Sequence, residues 1–181
     1  MNQYLEDADE ELKRADHLLY VSLKYTRTVD IIKSIVERLI NMFDFSILAI
    51  MSMMKEKGQL HDIPKSPGLR ASMVASHYKD EPIMQDFFKF YQHLREVSRA
   101  EFKRSSEFRR HVKMTSLLDS GPVEIDIDKI SEYYHKSRVF AELVKQVVIQ
   151  TEEAKEPPAI NMAELLASVT AELDFNKGRG N

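Results

Sequence analysis

Glycine and proline are scarce in this chain, five and six in 181 residues. Tight turns draw on both, Gly for its positive φ and Pro for its fixed one. A many-stranded sandwich or barrel needs turn signals every few residues, and this sequence does not supply them. Long runs free of both residues instead carry apolar positions three and four apart, the period of one helix face. The fold class this predicts is all-α, an antiparallel bundle of four to five helices over residues 1–156, with a tail over 157–181.

The first helix is read over about Asp7–Tyr25, where Leu5, Ala8, Leu12, Ala15, Leu19 and Ser22 form one stripe. Thr28 is placed as the N-cap of a second helix, which runs through Val29, Ile32, Ile35, Val36, Leu39, Ile40 and Phe43 and ends near Gly58. Beyond Asp44 this segment is apolar almost all round, which fits a helix buried among several neighbours, or shared between a core and a subunit interface. Residues 59–68 read as a loop and Leu69–Tyr78 as a short helix. Pro82 opens a longer helix, and because no Gly or Pro interrupts residues 86–114 that helix is extended as far as Met114. Ser120–Gly121–Pro122 is a turn. Asp126 or Asp128 caps a last long helix, stopped at Glu156–Pro157–Pro158. In the tail, Asn161 and Glu164 form a capping box for a short amphipathic helix over Met162–Leu173, and the final residues from Asn176 read as frayed.

The absence of Cys excludes disulfides, Cys-ligated zinc, iron–sulfur clusters and a cysteine nucleophile. The N-terminus is acidic, with no signal-peptide hydrophobic run, and Phe45–Met54, the most apolar run, is about half a membrane span. A cytoplasmic protein away from membranes is the expectation. The net charge of −3 gives no global reason for nucleic-acid binding, but six cations, Arg99, Lys103, Arg104, Arg109, Arg110 and Lys113, gather in one short segment.

Within that segment Arg104 and His111 are seven residues apart, nearly two turns, so a helix would place both on one face. The pair suits phosphodiester chemistry. A histidine can move the proton of a ribose hydroxyl, and an arginine can hold the phosphate as charge builds on it. Lys103, Arg109, Arg110 and Lys113 would add backbone contacts to a nucleic acid.

The Arg–six residues–His spacing, the helical order and the following EIDIDKISEYYHKSRVFAELV resemble the HEPN superfamily. That resemblance implies a helical bundle that dimerises. It also implies metal-independent cleavage of RNA through attack of the 2′-hydroxyl, with Arg104 and His111 as motif residues meeting their copies across a homodimer, as in toxin-type modules with an antitoxin. No cofactor is implied. The position after the arginine, often Asn, is Ser105, and the residue after the histidine is Val112 rather than Gly or Tyr. The same cations also fit the solvated face of a helix, with Glu107 in a local ion pair. A non-catalytic dimeric scaffold, its tail docking a protein partner, is the alternative function.

Other constellations are weaker. Glu132 and His135 form one Glu-x-x-His, where a di-iron bundle needs two. His17, His61, His77 and His93 lack metal-ligand spacing. Asp44, inside the most apolar helix, faces out, pairs, or marks a site. Six methionines, Met42, Met51, Met53, Met54, Met73 and Met84, point to core or dimer interface.

Overall fold

The computed structural model describes residues 2–154 and 158–177. The chain is mostly helical, as read, but it is not a pure bundle: a three-stranded antiparallel sheet stands between its last two long helices.

Helix α1 (Gln3–His17) begins at Asn2, whose side chain accepts from the Tyr4 N–H at 3.1 Å. It continues into a π-helical turn, Leu18–Ser22, and a last turn α2 (Leu23–Tyr25). The buried stripe runs Ala8, Leu12, Ala15, Leu19 and then Leu23. A plain α-helix would have brought Ser22 into the next core position. The wider turn brings the leucine there, which buries more apolar surface.

Helix α3 (Val29–Glu56) is the central element. Val29, Ile32, Ile35, Val36, Leu39, Phe43, Ile47 and Ile50 are all inaccessible, and Met42, Met51, Met53 and Met54 are buried with them. The all-round apolar second half is therefore surrounded within this chain, the first of the two readings its pattern allowed. Met84 is also buried, and Met73 packs against the core from its edge. Helix α4 (Pro67–His77) starts two residues earlier than the pattern suggested, with Ser66 as its N-cap. Helix α5 (Pro82–Arg99) and helix α6 (Ile127–Glu153) complete the layer around α3. Of the two capping candidates for α6, Asp126 is the one used, accepting from the Lys129 N–H at 2.8 Å. At the centre, the Phe140 ring of α6 stacks on Phe43 at 4.4 Å and tilts against Phe87 at 5.1 Å. Asp44 is paired: it accepts from the Tyr91 hydroxyl of α5 at 2.5 Å.

The helix expected to reach Met114 ends instead at Arg99. Strands β1 (Phe102–Ser105), β2 (Lys113–Leu118) and β3 (Gly121–Ile125) follow, in the order β1-β2-β3. The Ser120–Gly121 turn closes the β2–β3 hairpin, with Gly121 at φ 123°. Val112, Met114, Ser116 and Ile125 are buried and seat the sheet on the helices, and the Ser116 hydroxyl donates to the Val97 carbonyl at 3.4 Å. Burial at every second residue of 112–116 overrides the absence of Gly and Pro, because alternation is the strand's signature.

Helix α7 (Met162–Lys177) packs on α6, buries Met162 and Val169, and runs past the Leu173 limit read from sequence. The proline stop at Glu156–Pro157 and the end beyond Lys177 lie outside the described residues. Among the described residues no helix is long and apolar enough to cross a membrane.

Candidate functional site

The basic segment is folded as a hairpin, and this changes what its residues can do together. Arg104 lies on β1, paired in register with Met114, so its side chain is on the helix-facing side of the sheet at its edge. Its guanidinium donates to Asp30 at 2.8 Å and to Glu107 at 3.3 Å and lies 5.2 Å from the centre of the Phe102 ring. Lys33 covers the same ring at 4.8 Å. The hydrogen bond from Arg104, with the charges of Arg104 and Lys33, holds the Asp30 carboxyl below the usual carboxylate range. His111 is exposed in the turn between β1 and β2. Arg104 and His111 therefore do not share the helix face on which their pairing was read. The local ion pair expected of Glu107 is present, and its partner is Arg104.

The outer face of the sheet carries Lys103 and Lys113. Lys113 bonds Glu124 across to β3 at 2.9 Å. Arg109 and Arg110 are exposed in the turn beside His111. Arg99 is the last residue of α5. The six cations are thus divided among a helix end, two strands and a turn.

The turn is held to the start of α3 by three contacts. The Phe108 N–H donates to the Arg27 carbonyl at 2.6 Å, the Val29 N–H donates to the Glu107 carboxylate at 3.1 Å, and Arg104 bridges Glu107 to Asp30. Ser106 and Phe108 take left-handed backbone, φ 54° and 63°, which costs about 1 kcal/mol each for residues with a side chain. The Phe108 ring is 76 % exposed. Tyr25, two residues before Arg27, is 80 % exposed. The turn therefore meets the chain at Arg27, two residues after the exposed Tyr25 and three after Lys24, with Arg109, Arg110 and His111 exposed in the turn itself.

Sequence reasoning missed Phe108, Tyr25, Lys24 and Arg27. An aromatic residue set among charges, as Phe108 is between Glu107 and Arg109, was the available signal. Compared with protein-family models, curated proteins and solved structures, the chain matches none.

Proposed function

We propose that this is an RNA-directed protein that binds single-stranded RNA at the corner formed by α2 and the β1–β2 turn. The observation that carries the reading is Phe108, a large ring left exposed on a strained turn and followed directly by Arg109, Arg110 and His111. Unpaired bases stack on exposed rings, and cations track the phosphates beside them. Tyr25 offers a second ring, while Lys103 and Lys113 extend the basic surface along the sheet.

The HEPN reading belongs to this proposal. The long helices support it as an architecture. Metal-independent cleavage, with His111 as acid/base and Arg104 as phosphate ligand, is favoured by the exposure of His111 among the turn cations. It requires Arg104 to exchange Asp30 and Glu107 for a phosphate. A homodimer that sets two such turns together, alone or released from an antitoxin, is part of the same reading. The non-catalytic alternative keeps the scaffold and loses the RNA.

The test is fluorescence anisotropy with a labelled oligouridine of about 20 nucleotides, longer than one such site requires. Phe108→Ala is expected to weaken binding about tenfold, the loss of one stacked base. Arg109→Ala/Arg110→Ala is expected to weaken it further and to reduce the salt dependence by about two phosphates. If both variants bind as the parent does, the reading is wrong. Cleavage of the same RNA in EDTA, abolished in folded His111→Ala, would establish the catalytic step. Cleavage that survives the substitution removes it.

A further inference from the structure

Helices α1 and α6 both pack on α3 and run antiparallel, with a groove between them. The Tyr134 hydroxyl of α6 donates to Asp16 at 2.8 Å at one end, while Asn2 and Glu152 line the other. The groove encloses about 840 Å³. On the α1 side Leu5, Ala8 and Leu12 line it at spacings of three and four, and on the α6 side Ala141 and Ile149, eight apart, do so, with Leu173 of α7 at one edge. From Asn2 to Asp16 is about 21 Å of helix at 1.5 Å per residue. Two parallel ridges of that length, each with helical spacing, have the shape left by an absent third helix. A compact ligand would use only part of it.

The charge of the lining gives the chemistry of the occupant. Glu6, Asp9, Asp16, Glu142, Glu152 and Glu153 face Lys13, Arg138 and Lys145. Two of those three cations are already engaged, Lys13 by Asp9 at 2.9 Å and Lys145 by Glu142 at 3.6 Å. The rim is acidic over an apolar floor. A second copy of this chain is a poor fit, since the apolar stripes of α3, α5 and α6 are buried in their own core and Met162 and Val169 of α7 are buried as well.

We infer that the α1–α6 groove docks an amphipathic helix of a partner protein, about four turns long, with Leu or Ile at spacings of three and four and Lys or Arg on its flanks. The site is separate from the α2–hairpin corner and does not depend on RNA binding.

The experiment uses the full chain and three labelled model peptides of about 15 residues, the length of the groove. One is a Leu/Lys helix with the apolar stripe, one a scrambled Leu/Lys peptide, one a Leu/Glu helix with the same stripe. Saturable binding of the first, at least about tenfold tighter than the other two (about 1.4 kcal/mol), is expected. Ala141→Trp fills the groove and should weaken that binding by at least about the same factor, whereas Arg109→Ala/Arg110→Ala should leave it unchanged. Should Ala141→Trp fail the circular-dichroism check for folding, Glu152→Lys/Glu153→Lys on the exposed rim must lose binding instead. Equal binding of the scrambled peptide overturns the inference, as does unchanged binding by the folded groove variant. A dimer in solution that Ala141→Trp dissociates overturns it in favour of a second copy.

Discussion

The Glu107 carboxylate accepts the Val29 N–H at 3.1 Å, so the first free donor of the central helix is satisfied by a residue 78 positions away. Thr28, the residue placed to cap that helix, makes no side-chain cap bond. Glu107→Ala should therefore cost about 1 kcal/mol, the usual loss for a helix cap, while Thr28→Ala changes little. Glu107→Gln keeps an acceptor and should fall between them. Urea unfolding of the three variants checks the order, and a larger loss in Thr28→Ala than in Glu107→Ala would refute it.

Asp30 carries a pH signature. Its folded carboxyl sits below the ordinary value of 3.8 because Arg104 bonds it, so its contribution is present above that value and is lost as pH falls through the folded one. The melting temperatures of the parent and Asp30→Asn should differ at neutral pH and converge in acid below about pH 4. The difference should also shrink in high salt, because the pair is exposed. A gap that widens on acidification contradicts the assignment.

Tyr91 works in the alkaline direction. Burial, then its hydrogen bond to Asp44, push the phenol above its ordinary value of 10.0. Its contribution is present below pH 10 and is lost as pH rises through the folded value. Tyr91→Phe leaves the half-buried Asp44 without that donor and should cost about 1–2 kcal/mol at neutral pH. The gap to the parent should narrow above pH 10, in denaturant titrations at stepped pH.

Glu11 joins α1 to α3. Its carboxylate is buried and is held by Arg14, by Arg38 at 3.2 Å and by Asn41 at 3.1 Å. Glu11→Ala strands these donors and should cost about 3 kcal/mol, the low end for a broken buried pair, because Arg38 is partly exposed. A loss below about 1 kcal/mol, the level of a surface pair, would show that water replaces the carboxylate.

Phe140→Ala should be more damaging, about 3–5 kcal/mol, since its ring fills the space between Phe43, Phe87 and Phe88 and the void cannot close. Differential scanning calorimetry would record it as one lowered transition.

The long helices were legible because burial of one face imprints a period on sequence, as along Val29, Ile32, Ile35 and Val36 and along Ile130, Tyr134, Ser137 and Val144. The sheet was not. Its strands are short, and the turn between β1 and β2 is made by Ser106 and Phe108 in strained backbone rather than by glycine, so nothing there announced a break. The buried Val112, Met114 and Ser116, alternating with Lys113 and Thr115, held the information, but three residues of period two are easily absorbed into a longer helical pattern. The helix face that Arg104 and His111 were expected to share is lost in the same place, because seven residues mean one face on a helix and opposite ends of a turn in a hairpin.

The π-helical turn at Leu18–Ser22 amounts to one surplus residue wound into a helix. Each residue of an α-helix advances the chain by about 100° of rotation and 1.5 Å. Because the wide turn takes up that residue, a single deletion within Leu18–Ser22 would restore a uniform helix and leave Leu23 to Arg27 in phase, whereas the same deletion in the regular part of α1 would swing them by roughly that angle. The wide turn is thus where this helix can lose one residue without re-aiming the exposed corner at its end, and folded single deletions in the two places should differ in RNA binding accordingly.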